Sequence, residues 1–470
     1  MVSEKFRREL AREIEQWQQE GLLSPDQRHH LISRYQLDQL ESSAQNRFTA
    51  ILVGLGSILL GIGAITFVAA NWQVIPRDLK LLLLITALVS VNAAGFELWR
   101  RAEPETSQRR LGQGLLLLGA LLLGANLALA GQLFHRSGSF FDLCLGWSLG
   151  VWAIAYSLQL TPLGILSVLI LSFGYWSGLW GAVWGDVIQW QWTLEAMPLI
   201  AGGLSICLAY RCQSKVIFGL GAILVSASFW TILLQFASDI PLWLTICLTV
   251  VPYALLWAYR DRLWPILELP DELCFQPVAR RLAIFGLGGL YYSGSFHFIW
   301  TEPVGPDNSP IDWTILSSYW LATLSVAVML VLTIWAWITL GRGSGSARTW
   351  RWTGLDATVA LFLVTTAIIP CIHWMVSPIG AIATLVFNLL LFLIAVGCIQ
   401  QGLNRARRVA FWFGIALLTL QVLSRVFEYE TGLLLKSLAF GLCGAIVIFV
   451  GLWFERYLQR LATRRIPGHE

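Results

Sequence analysis

The chain has 470 residues, 56% of them apolar and only 13% charged, with a formal net charge of +4 and a mean hydropathy of +0.66. Soluble domains carry about a quarter charged residues, so an ordinary soluble protein is excluded, as are a disordered chain, a collagen-like chain and a disulfide-rich secreted scaffold. The charge excess is too small and too dispersed for nucleic-acid binding. What remains is an all-α, polytopic transmembrane helical bundle.

Residues 1–47 form the first element, a cytoplasmic helical hairpin. Phe6, Leu10, Ile14 and Trp17 recur on one helical face, with Arg8, Arg12, Glu15 and Gln19 on the other. Gly21 stands where a C-cap glycine belongs. Ser24-Pro25-Asp26-Gln27 reads as a second helix start: Ser24 caps, Pro25 suits the first helical position, and Gln27 reaches back as in a capping box. Leu31, Ile32 and Tyr35 are its apolar face. A hairpin this small buries too little surface to stand alone. It docks on the membrane region, on a second copy or on a cytoplasmic partner, or it serves only as a solvated anchor. The polar stretch before the first apolar run predicts no secretory signal.

From residue 48 the apolar runs are long enough to count. A spanning helix needs roughly 20 mostly apolar residues, and backbone groups in lipid must be satisfied within the segment, so such runs are helices. The segmentation is 48–70, 79–98, 112–133, 143–158, 163–181, 194–210, 216–236, 241–259, 282–300, 314–340, 354–376, 379–401, 409–425 and 433–454. That makes fourteen spans. Residues 48–160 and 161–454 are two membrane regions, and 455–470 form a tail. Basic residues gather in cytoplasmic loops. With the N-terminus inside, 27 of the 32 Lys and Arg fall on that side, and only Arg77, Lys80, Arg136, Arg425 and Lys436 fall outside. Both termini are therefore expected in the cytoplasm.

The pattern from Glu15-Gln16-Trp17 through Gly21-Leu22-Leu23-Ser24-Pro25-Asp26-Gln27 to Tyr35 resembles the opening of a bacterial family of predicted membrane proteins, domain of unknown function 2157. The resemblance continues through Ala69-Ala70-Asn71-Trp72-Gln73-Val74-Ile75-Pro76-Arg77 and Ala130-Gly131-Gln132-Leu133-Phe134-His135 to Trp147. It covers residues 5 to 160, and beyond them only hydropathy agrees. One departure is Ser137-Gly138-Ser139-Phe140, where the family has a Gly-Asp type of turn, with Asp142 the nearest acidic substitute. The resemblance implies a bacterial inner-membrane protein and supplies no activity.

Few residues are placed for chemistry. Glu97, Glu195, Asp356, Arg425 and Lys436 lie at or near span ends, where snorkelling keeps charged heads wet. Deeper polar groups are neutral: Asn92, Gln113, Asn126 and Asn388. The absence of a mid-membrane carboxylate argues against a proton-coupled pump. On the outer face, Asn71 and Trp72 share one loop, while His135, Arg136 and Asp142 lie in the next. His135 is suited to acid–base work and Asp142 to orienting it, although no nucleophile stands at diagnostic spacing. Trp176, Trp180 and Trp184 recur every four residues, as a grip for a lipid headgroup or sugar or as an aromatic belt. Gly146/Gly150, Gly174/Gly178 and Gly181/Gly185 have the spacing of close helix approach. Gly341-Arg342-Gly343-Ser344-Gly345 lacks the strand and spacing of a nucleotide loop. Eight scattered cysteines form no Cys-x-x-Cys and no His/Cys cluster, so no disulfide, metal or cofactor is expected.

Three functions fit. The chain binds or moves a lipidic or small neutral solute, with Asn71, Trp72, Asn92, Asn126, Trp176, Trp180 and Trp184 as candidate contacts and membrane lipids as partners. It is an enzyme at the outer leaflet, with His135, Arg136 and Asp142 as catalytic candidates. Or it is an envelope scaffold or sensor that recruits a partner through residues 1–47.

Overall fold

A computed structural model describes residues 10, 13–14, 16–18, 20, 23–24, 27, 31, 52–63, 66–67, 70, 76–103, 106–133, 139–183, 191–236, 240–263, 274–301, 319–342, 352–429 and 432–464. Among these every regular element is helical and no strand occurs. Ten helices are long and apolar enough to cross a membrane. The chain divides into two compact units, Met1–Gln189 and Trp190–Glu470.

In the first unit the N-terminal segment gathers Leu10, Trp17, Leu23 and Leu31 around the buried Ile14. The Ser24 N–H donates to Gln27 Oε1 at 3.0 Å and the Gln27 N–H to Ser24 Oγ at 3.3 Å, the reciprocal capping box that this spacing predicts. Phe6, Gly21, Ile32 and Tyr35 lie outside the described residues.

The membrane part of this unit begins with α1 (Leu52–Gly63). Next come α2 (Arg77–Arg101), α3 (Ser107–Leu133), α4 (Phe140–Leu158) and α5 (Thr161–Val183). Helices α2 and α3 pair as one hairpin, and α4 and α5 as another. The α2–α3 backbones approach closely because Gly95 and Gly112 face each other: a Cβ on Gly112 would meet the Trp99 nitrogen at 2.6 Å. The α4–α5 turn is two residues long, and Gln159 closes α4 in the left-handed conformation at φ 55°. Across that hairpin the Ser167 hydroxyl donates to the Ser148 carbonyl at 2.9 Å, and Gly174 leaves room for Cys144.

The second unit holds α6 (Gln191–Glu195), α7 (Met197–Arg211), α8 (Lys215–Phe236), α9 (Leu242–Leu248), α10 (Val251–Ala258) and α11 (Gln276–Gly294). It continues with α12 (Trp320–Gly341), α13 (Gly354–Met375), α14 (Gly380–Asn404), α15 (Arg408–Glu428) and α16 (Leu433–Arg464). Its core gathers Tyr291, Trp300, Trp374, Phe387 and Leu391 from α11, α13, α14 and the 3-10 turn His297–Trp300. Every one of the fourteen apolar segments contains helix. The four outside the ten long spans are α1, α7, α11 and the segment 241–259, which is divided into α9 and α10.

Candidate functional site

Asn71, Trp72, His135, Arg136 and Trp184 lie outside the described residues. Asp142 occupies the third position of α4, where it completes a capping box. It accepts from the Ser139 N–H and hydroxyl at 3.0 and 2.9 Å, and its own N–H donates to Ser139 Oγ at 3.2 Å. Asn92 and Asn126 share the α2–α3 seam. Asn126 Nδ2 reaches across to the Leu84 carbonyl at 3.2 Å, and the Asn92 amide fills the space that Gly119 leaves. Trp176 and Trp180 are 41% and 64% exposed on α5, outside the packed core.

A well-formed concavity lies elsewhere, in the second unit. Segment 241–259 does not run as one helix. Pro252 has no N–H to offer the Leu248 carbonyl, and its ring would strike that carbonyl in a continuous helix. The hydrogen-bond ladder is interrupted at Thr249 and Val250, which both keep right-handed helical dihedrals: the Thr249 N–H bonds back to Ile246 at 3.1 Å, and the i→i−4 ladder resumes with Ala254 N–H on Val250 O at 3.0 Å. Thr249 and Val250 are 8% and 6% exposed.

Beside this break is a groove of about 310 Å³, walled by α7, α8, α10 and α12. Its emptiness follows from its residues. Gly202 and Gly203 on α7 present no side chain: a Cβ on Gly203 would touch nothing within 4 Å, and one on Gly202 only a Val225 methyl at 3.6 Å. Pro198 and Pro252 stand in the first turns of α7 and α10, while Val225, Leu256 and Met329 keep the lining apolar. Two lining hydroxyls are committed: Ser226 to its own helix at Ala222 O, 2.8 Å away, and Tyr259 to the Tyr210 hydroxyl at 2.8 Å. Ser205 differs. It is 3% exposed, and its Oγ has no hydrogen-bond partner. The hydroxyl packs against Gly221 of α8 and has no surface open to the groove, so it is sealed in the α7–α8 contact.

Two charged networks flank the core of this unit. Asp356, 4% exposed, accepts from Trp257 Nε1 at 3.1 Å and Arg280 at 3.3 Å, and caps α13 through Thr353 at 2.7 Å. Arg425 pairs with Glu428 and donates to the Ser295 carbonyl and hydroxyl. Glu428 also accepts from the His297 N–H, and the guanidinium lies 4.5 Å over the Phe296 ring. The expectation that Asp356 and Arg425 keep wet heads at span ends is corrected. Asp356 is drawn inward by Arg280 and the Trp257 N–H from other helices, and Arg425 by Glu428 of its own helix, the Ser295 carbonyl and the Phe296 ring. Glu97 does stay at the surface, paired with Arg100 and Arg101. Among the described residues no group of three or more His, Cys, Asp or Glu could hold a metal.

Sequence reasoning missed Ser205, the Asp356–Arg280 pair and the Arg425 cluster. The signal for the groove was present in Gly202-Gly203 and the mid-segment Pro252. Nothing local pairs residues as far apart as Arg280 and Asp356.

Residues 15–164 match the model of a family described as "Predicted membrane protein (DUF2157)". That stretch lies within the first unit, and the groove lies in the second. No curated protein and no solved structure matches the chain.

Proposed function

We propose that this membrane protein binds, and exchanges with the bilayer, a lipidic solute in the groove of its second unit, without chemistry on it. The observation that carries this reading is an apolar groove of about 310 Å³ beside a helical segment whose hydrogen-bond ladder Pro252 interrupts. Ligand pockets are typically concave and mostly apolar with few polar groups, and broken helices are recurrent binding elements in transporters. The fourteen segments act as fourteen crossings of a bacterial inner membrane, with both termini cytoplasmic. Contacts within the second unit support this alternation. Arg260 takes the last carbonyls of α12 at Thr339 and Leu340, both at 3.1 Å, and Arg280 meets the start of α13. Cys247 meets Cys371 near the opposite end of α13.

The test fills the groove. Gly202→Leu adds volume where the backbone leaves room and raises helix propensity, so the fold should be kept. Native mass spectrometry of the purified full chain should show a bound lipid in the wild type that is lost in Gly202→Leu at unchanged thermal stability. Equal retention in both would overturn the reading.

The hairpin in residues 1–47, with its own small core around Ile14, supports a second reading as a docking module for a cytoplasmic partner or a second copy. Deleting 1–47 should then release that partner while leaving lipid in the groove.

A further inference from the structure

We infer that Cys247 and Cys371 form a reversible disulfide near the outer face of the membrane, a covalent tie between α9 and α13 that a two-electron oxidant closes and a thiol reductant opens. The inference stands apart from the groove and does not depend on it. The two sulfurs lie 3.3 Å apart, so about 1.3 Å of side-chain movement brings them to bonding distance. The Cys247 thiol donates to the Ala367 carbonyl at 2.9 Å, which leaves its sulfur lone pairs to face the Cys371 thiol. Neither cysteine is fully buried, so an oxidant has surface to reach. Among the described residues no third His, Cys, Asp or Glu joins them in a metal-holding group, and the chemistry on offer is that of two thiols.

Position along the helices sets the compartment. Cys247 stands five residues after Leu242, the start of α9, about 8 Å along its axis. Cys371 stands four residues before Met375, the end of α13, about 6 Å along. In the proposed orientation both of those helix ends face the bacterial periplasm, an oxidising space where disulfides form and persist. The tie has a use there. Helix α9 is only seven residues long, too short to hold its own conformation, and Pro252 interrupts its ladder into α10. A bond between residues 124 apart in sequence restricts the unfolded chain and fixes α9 on α13.

The step balances with a disulfide as oxidant. One cysteine sulfur attacks the oxidant's S–S bond, forms a mixed disulfide and expels the first thiol. The other cysteine sulfur attacks that mixed disulfide, the Cys247–Cys371 bond forms, and the second thiol leaves. The oxidant's S–S bond is the one broken, and the two cysteine protons end on the two expelled sulfurs. A quinone dissolved in the bilayer satisfies the same balance by taking both electrons and both protons as the quinol.

The experiment quenches bacterial cells making the full-length chain in acid, then alkylates the denatured protein with N-ethylmaleimide before and after reduction. Of the eight cysteines, six should be alkylated before reduction and all eight after it, with a linked peptide joining Cys247 to Cys371. Cys247→Ser and Cys371→Ser should each leave seven thiols, all alkylated without reduction. Eight free thiols in the quenched wild type, or a bond between any other pair, overturns the inference. The reduced, purified protein is then offered oxidised glutathione or decylubiquinone. Whichever closes the bond identifies the source of the oxidant, water or bilayer, and closure by neither overturns the exchange step. The oxidised wild type should unfold at a higher temperature than the reduced protein, and both serine variants should unfold near the reduced value with or without oxidant. A wild type whose unfolding ignores dithiothreitol would deny that the tie secures α9.

Discussion

Arg425 and Glu428 stand one turn apart at the end of α15, with side chains 18% and 11% exposed. Asn388 Nδ2 also reaches Ser295 O at 3.0 Å, and Gln421 Nε2 reaches Asn388 Oδ1 at 3.1 Å, so the pair sits inside a network drawn from three elements. Removing one partner of a buried ion pair strands the other charge and costs about 3–5 kcal/mol. Glu428→Gln should therefore lower the thermal unfolding temperature in detergent markedly. Arg425→Leu/Glu428→Leu should recover part of the loss, and equal stability of the single and double variants would deny the coupling. A second residue-scale prediction concerns Cys274. Burial, and then the Asp261 carboxylate that accepts its S–H, raise this thiol above the ordinary cysteine range. A raised pKa keeps the group as unreactive thiol at neutral pH. Its alkylation should be slow at pH 7–8, accelerate only as pH climbs through the raised value, and become faster at neutral pH in Asp261→Asn.

At the scale of elements, the short helix α9 is held to α13 by side chains that include two thiols, Cys247 and Cys371, whose sulfurs lie 3.3 Å apart. A mild oxidant such as diamide should close a disulfide between them, read as two fewer alkylatable thiols after denaturation, and Cys371→Ser should prevent it. If both thiols stay alkylatable in the folded protein after oxidation, α9 does not pack on α13 in this register. Glycines of one composition behave differently by position. Gly112 meets the backbone of α2, whereas a Cβ on Gly146 would touch nothing within 4 Å. Gly112→Val should cost about 1–3 kcal/mol by overpacking, and Gly146→Val should be tolerated, as judged by yield and thermal stability of the extracted protein. Spacing alone marks Gly146 and Gly150 as a pair, yet only Gly150 faces a neighbouring helix, against Leu123.

For the whole molecule, the proposed fourteen-crossing arrangement, which would sort 27 of the 32 Lys and Arg to one side, predicts that reporters at the C-terminus and between Arg280 and Arg281 both read as cytoplasmic. A periplasmic tail would remove the fourteen-crossing alternation. Among the described residues ten helices meet the length and apolarity of a span outright. The others are short, broken or begin with charge: α11 carries Arg280 and Arg281 in its first turns. Helices of this kind need protein around them, because a chain too short or too polar to be solvated by lipid along its whole length relies on neighbours for burial. In the second unit α7, α10 and α11 have that cover, with Met197, Leu208, Ala258, Ala279 and Ala283 among their buried residues.

Residue pattern located the long apolar helices, the capping box at Ser24 and Gln27, and the membrane character of the chain, because these depend on neighbours within a few residues. In lipid an apolar run has one way to satisfy its backbone, so its conformation is a local matter. The same sequence is silent on which helix faces which. Gly202 and Met329 share a groove, and Asp356 and Arg280 share a charge, only because distant segments pack together. Whether a glycine leaves a void or a close contact, and whether an arginine is wet or buried, is decided by the residue that packing puts opposite it.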